Sequence, residues 1–102
     1  MSILHTVNKS PFEKSTFKSC IDHAKPGDAV LLIEDGVYAA TKGTAAQGLI
    51  DTRNGDLAVY ALGADLEARG IAEGSVVEGV SVVDYGGFVD LVTEHDVSQA
   101  WL

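Results

Sequence analysis

Hydrophobic and polar positions along the chain switch repeatedly between a strand-like and a helix-like period. Ile3-Leu4-His5-Thr6-Val7 is short and rich in β-branched residues, which predicts a first strand. Ser10-Pro11-Phe12-Glu13 carries three agreeing helix-start signals: Ser10 can cap, Pro11 suits the first helical position, and Glu13 completes a capping box. Phe17, Cys20, Ile21 and Ala24 then recur at i, i+3, i+4 and i+7, giving one apolar helical face, and Pro26-Gly27-Asp28 ends that helix. Ala29-Val30-Leu31-Leu32-Ile33 is apolar throughout, as strands covered by helices on both faces are.

Glu34-Asp35-Gly36 closes this second strand, and Val37 to Thr41 predicts a short alanine-rich helix. Lys42 to Asp56, with its glycines and Asn54, reads as a partly helical connector. Leu57-Ala58-Val59-Tyr60-Ala61-Leu62 is a third strand, and Ala64 to Arg69 a short helix stopped by Gly70. Val80-Ser81-Val82-Val83, in preference to Val76-Val77, is the fourth strand. Tyr85 to Glu94 is a helix expected to turn Phe88, Leu91 and Val92 inward, and Ser98 to Trp101 a short edge strand. The alternation implies an α/β domain with a mostly parallel sheet.

Length and charge narrow the function classes. A chain of 102 residues fits one compact domain, residues 1–102, large enough for a core without staples. Seven Lys and Arg against fifteen Asp and Glu give a net charge of −8, which argues against direct nucleic-acid or anionic-membrane binding. The single cysteine, Cys20, excludes an internal disulfide and any multi-thiolate metal site. No apolar stretch follows a basic start, and no apolar run reaches the length of a membrane span, so neither a signal peptide nor a span is expected. The expectation is a cytoplasmic globular protein.

In an open parallel sheet, ligands bind beyond the carboxyl ends of the strands. Those ends are Asn8-Lys9-Ser10, Glu34-Asp35-Gly36, Gly63-Ala64-Asp65 and Asp84-Tyr85-Gly86-Gly87, where glycines permit tight turns or close backbone approach. A ligand crevice near Asp35 and Asp84 is one reading; helix capping by Asp35, Asp65 and Asp84 is the preferred one. The chain has no G-x-G-x-x-G, no phosphate-binding G-x-x-x-x-G-K-[ST] and no G-x-S-x-G elbow. His5, His23 and His95 are scattered without metal-ligand spacing: His5 reads as a core or interface histidine, His23 and His95 as surface residues near helix ends. No metal, no cofactor and no self-contained enzyme is expected.

Cys20 is the one residue with latent nucleophilic chemistry, since a thiolate can accept and pass on a sulfur atom as a persulfide. Its place in the second half of a helix, where the dipole opposes an anion, and on the Phe17-Cys20-Ile21-Ala24 face favours a buried, inert thiol. Lys18 and Asp22 nearby cancel. Val37, Tyr38, Trp101 and Leu102 are large apolar groups that either finish the core or form a partner interface.

Taken in order, the segments Leu4-His5-Thr6-Val7-Asn8-Lys9-Ser10-Pro11-Phe12, Gly27-Asp28, Asp35-Gly36-Val37-Tyr38-Ala39-Ala40, Val59-Tyr60-Ala61-Leu62, Asp65-Leu66-Glu67-Ala68-Arg69-Gly70, Val83-Asp84-Tyr85, Phe88-Val89 and Gln99-Ala100-Trp101 resemble the DsrH/TusB family. The resemblance spans nearly the whole chain, with Thr44 to Asp56 contributing least. It implies a single-domain, open, mostly parallel five-stranded sheet flanked by helices. It also implies a small subunit of a sulfur-relay heterohexamer, two copies each of three related chains, with DsrE/TusD-like and DsrF/TusC-like partners. In such complexes the main persulfide carrier is a cysteine of the DsrE/TusD subunit, and the DsrH/TusB subunit is auxiliary or structural rather than an enzyme. DsrH-type chains resemble this one in having a cysteine in the first helix, matched here by Cys20, which TusB-type chains need not have. On that ground the resemblance leans to DsrH, with Cys20 as an auxiliary sulfur acceptor in dissimilatory sulfur oxidation. The alternatives are a TusB-like subunit serving 2-thiolation of the tRNA wobble uridine, and a purely structural subunit with an inert Cys20.

Overall fold

The computed structural model describes residues 2–102. Five strands form one parallel sheet in the order β4-β3-β2-β1-β5: β1 (Ile3–Val7), β2 (Ala29–Leu32), β3 (Ala58–Leu62), β4 (Val80–Val83) and β5 (Val97–Trp101). Four α-helices connect them: α1 (Thr16–His23), α2 (Ala45–Thr52), α3 (Gly63–Ala68) and α4 (Tyr85–Glu94), with a 3-10 helix over Glu34–Ala40 between β2 and α2. The expected five-stranded α/β sheet is therefore the observed one.

Strand order dictates which face each helix covers. From β1 to β4 each connection steps the same way across the sheet, and right-handed crossovers place their helices on one side. The β4-to-β5 connection steps back past β1, so α4 falls on the opposite side. The core is divided accordingly. On one face Val7, Val30, Leu32, Val59 and Ala61 meet Phe17, Cys20 and Ile21 of α1, Val37 and Ala40 of the 3-10 helix, Ile50 of α2 and Leu66 of α3. On the other, Leu4, Ala29 and Leu31 meet Leu91 and Phe88 of α4. All four residues of β2 are buried, which is why that strand reads as an uninterrupted apolar run.

Two expectations fail locally. The first helix begins at Thr16 rather than at Ser10. Ser10 nucleates a separate turn: its Oγ accepts from the Phe12 N–H, two residues on, and its carbonyl accepts from the Glu13 and Lys14 N–H groups. The hydroxyl thus satisfies a turn instead of the third helical amide, so no capping box forms. The predicted face of that helix is otherwise observed, with Phe17, Cys20, Ile21 and Ala24 buried. In α4, Phe88 and Leu91 turn inward but Val92 is exposed. One helix on a sheet buries a narrow stripe, and Val92 lies one residue, about 100°, beyond Leu91. Of the apolar groups set aside as a core or an interface, Val37 is fully buried, Tyr38 and Trp101 are half-buried, and Leu102 is exposed.

The carboxyl end of β1 is tightly closed. Gly36 lies against β1, where a Cβ would overlap the Val7 carbonyl oxygen. That same oxygen accepts the Ile33 N–H. The close approach foreseen for a strand-end glycine is thus to the chain's own backbone. Gly70, at φ +69°, ends α3, its N–H donating to the Glu67 carbonyl while the Ile71 N–H donates to that of Leu66.

Candidate functional site

Cys20 lies in the last turns of α1, its side chain fully buried on the sheet. Burial pushes the thiol up to about 12, and the nearby Asp28 carboxylate adds to the rise. Lys18 and Asp22, on the exposed side of the same helix, pair with each other at 2.8 Å.

Beside Cys20 is a polar network that no sequence motif announced. Gly27, at φ +93°, turns the chain so that Asp28 enters the core at the start of β2. The carboxylate is only 3% exposed. Its Oδ1 accepts the Ile3 N–H at 3.0 Å, and its Oδ2 accepts the Lys25 N–H at 3.1 Å and the His5 Nε2–H at 2.9 Å. The Trp101 indole N–H donates to His5 Nδ1 at 3.0 Å. An indole nitrogen can only donate, so Nδ1 is the acceptor and the imidazole proton sits on Nε2, facing Asp28. Burial works to raise the Asp28 carboxyl, but the bonds from His5, Lys25 and Ile3 outweigh it and hold it below its ordinary value. The His23 ring closes the cluster at 5.5 Å from Trp101 and 6.4 Å from His5.

Asp28, which acts on the Cys20 thiol through its charge and binds His5, invites comparison with a nucleophile, its base and the orienting acid. The geometry does not support that chemistry. A general base needs a free lone pair facing the thiol, and both nitrogens of His5 are engaged, one by Asp28 and one by Trp101. The network ties β1, β2 and β5 together through three buried or half-buried side chains. The sequence signals for it were a histidine in mid-strand and an aspartate directly before an all-apolar strand. His5 is thus a satisfied core histidine, while His95 Nδ1 donates to the Leu91 carbonyl at the end of α4.

The strand-end acids divide. Asp84 caps α4, its Oδ1 accepting the Gly87 N–H at 2.8 Å. Asp35 and Asp65 instead clamp one loop to α3. Asp65 Oδ2 accepts the N–H of Glu34, which sits at φ +49°, and Asp35 Oδ1 accepts from Arg69 Nε at 2.9 Å. Shallow clefts border β3, α3 and β4, lined in part by Glu67, Glu73 and Asp84, but they do not include Asp35. Among the described residues no three His, Cys, Asp or Glu side chains converge to hold a metal ion.

Fold and site together define a class: a small open α/β domain with one helix on the far side of its sheet, a buried single thiol and strand-end acids engaged within the chain. The chain belongs to the DsrH-like family, whose model, described as "DsrH like protein", matches residues 9–98. It is similar to Protein TusB of Shigella flexneri and Protein TusB of Escherichia coli strain K12, 37% identical to each over 99 residues, covering 97% of this chain and all of theirs. The resemblance read from the ordered sequence segments is borne out. Among solved structures, the fold matches the ychN protein of E. coli with TM-score 0.82 at 14% identity, each chain covered to 99%. It also matches MTH1491 of Methanobacterium thermoautotrophicum with TM-score 0.77 at 16% identity, each covered to 97%. No helix in the described residues is long and apolar enough to cross a membrane.

Proposed function

We propose that this chain is a TusB-like structural subunit of a cytoplasmic sulfur-relay heterohexamer, assembled with DsrE/TusD-like and DsrF/TusC-like chains and serving 2-thiolation of the tRNA wobble uridine. The chain is auxiliary rather than an enzyme, and a partner subunit carries the persulfide. The observation that carries this reading is the state of Cys20: fully buried, with its thiol pushed up to about 12 by burial and Asp28, and with no free imidazole nitrogen on His5 to deprotonate it. Sulfur exchange proceeds by thiolate attack, so such a thiol is a poor acceptor. Full-length identity to TusB chains favours the tRNA-thiolation branch over the sulfur-oxidation branch toward which Cys20 alone leaned. The net charge of −8 suits a subunit that shapes a complex without itself touching RNA.

The test is intact-protein mass spectrometry after exposure to a persulfide donor, on the isolated chain and on the complex co-expressed with its partners. The expected result is sulfur on a partner subunit and none on this chain, with Cys20→Ser behaving as wild type. Added sulfur on this chain that disappears in Cys20→Ser would replace the scaffold reading with a relay role for Cys20. Loss of thiolated wobble uridine on deletion of the gene would place the complex in tRNA modification; unchanged thiolation would remove it from that pathway.

A further inference from the structure

Helix α4 is apolar on two sides. Phe88 and Leu91 pack on the sheet, while Tyr85, Val89 and Val92, at i, i+4 and i+7, form a second stripe that is 62%, 60% and 42% exposed. With Phe88 and Thr93 these residues line a shallow groove of about 360 Å³. The two stripes join in one apolar arc of about 160°, wider than the contact of Phe88 and Leu91 with the sheet uses, and Thr93, Asp90 and Glu94 occupy the opposite side. The sheet beneath has the same surplus. Five strands span roughly 24 Å while one helix covers roughly 10 Å, and parallel sheets are ordinarily covered on both faces. Ala58, Ser81, Ser98 and Ala100, in register with residues of this face, are left exposed beside α4.

Charge decides what can cover it. All seven Lys and Arg residues lie at or before position 69. Beyond Arg69 the chain carries six acidic residues, Glu73, Glu78, Asp84, Asp90, Glu94 and Asp96, and no Lys or Arg. Asp84, Asp90 and Glu94 are exposed on or next to α4 itself. Asp84 adjoins Tyr85 and Asp90 adjoins Val89, whereas Glu94 lies on the far flank of the helix. A second copy docked by this face would set Asp84 and Asp90 against their own kind, and like-charge juxtaposition across an interface works against the wrong partner.

We propose that the Tyr85–Val89–Val92 face of α4, with the bare sheet margin beside it, docks a different protein chain that presents an apolar patch rimmed by Lys and Arg. The proposal rests on the subunit reading above and names the face that reading would use. The test is co-expression with the DsrE/TusD-like and DsrF/TusC-like subunits, followed by co-purification and size-exclusion chromatography with light scattering. Val89→Asp places a charge in the groove at an exposed position, Asp90→Lys reverses the charge next to the stripe, and Lys18→Glu on α1 is the control. Circular dichroism confirms that each variant is folded. Recovery of the complex should fall at least tenfold for Val89→Asp and for Asp90→Lys, and remain unchanged for Lys18→Glu. Undiminished assembly of both α4 variants would overturn this face while leaving the subunit reading intact. Failure of the wild-type chain to assemble with either subunit would overturn both. Self-association of the isolated wild-type chain that Val89→Asp abolishes would assign the face to a second copy and overturn the proposed partner.

Discussion

Asp28→Asn is the perturbation that tests the buried network most directly. The carboxylate accepts three donors, from Ile3, Lys25 and His5, with two oxygens at 3% exposure. An asparagine offers one oxygen. Turned toward His5 and Lys25, it sets its NH2 against the Ile3 N–H; turned the other way, it opposes two donors. Either orientation loses at least one charge-assisted bond, worth about 1.5–3 kcal/mol, and leaves a buried donor without an acceptor. The expected loss is about 2–3 kcal/mol at neutral pH, a large share of the roughly 5–15 kcal/mol that stabilises a domain, and a fall in Tm of about 10–20 °C. The pH dependence adds a second, independent readout. The folded-state carboxyl lies below its ordinary 3.8, so the unfolded chain binds the proton first as pH falls. The stabilisation is complete above about pH 4 and drains away as pH drops through the folded value, whereas the amide of the Asp28→Asn variant cannot titrate. Urea unfolding of wild type and Asp28→Asn at pH 7 and in steps below pH 4 should show a gap that narrows in acid. A gap below about 0.5 kcal/mol at pH 7, or one that persists undiminished in acid, would refute the assigned bonding.

Gly36→Ala should cost about 3 kcal/mol in urea unfolding, because the added Cβ runs into the Val7 backbone oxygen, which cannot move without breaking its bond from Ile33; a cost under about 1 kcal/mol would show that the strand ends yield. Arg53→Met should cost about 1–2 kcal/mol and speed hydrogen exchange in α1 more than in α4, since the Arg53 guanidinium caps α1 by donating to the Ile21 and Ala24 carbonyls. Uniform acceleration across all helices would contradict that local role. Trp101→Phe should cost about 1 kcal/mol and shift the His5 Nδ1 resonance in nitrogen NMR, because it removes the donor assigned to that atom; an unmoved resonance would mean that Trp101 is not the partner. With its thiol at about 12, Cys20 should be on the order of one part in 10,000 thiolate at pH 8, so labelling by a disulfide reagent should track global unfolding. Labelling of the native chain as fast as of the denatured chain would contradict its burial.

Local pattern determined the elements themselves. The all-apolar β2 and the spacing of Phe17, Cys20, Ile21 and Ala24 were enough for the sheet class and one helix face, because hydrophobic period is a local property that packing only ratifies. Asp84 was legible as a cap for the same reason, its acceptor and the Gly87 donor being three residues apart. The errors share a cause: a local signal met a competing partner. Ser10 spent its hydroxyl on a turn, and Val92 lost its place inside because strand order put one helix alone on its side of the sheet. Only the tertiary structure could decide where Asp35 and Asp65 point, that Gly36 abuts Val7, and that His5, Asp28 and Trp101, as many as 96 positions apart in the chain, share hydrogen bonds. Contacts at that separation follow from strand order and register, which leave no periodic trace in any one segment. The charge division at Arg69 was present in the sequence throughout, but it acquired meaning only when the fold set Asp84 and Asp90 next to the exposed stripe of a helix that stands alone on its face.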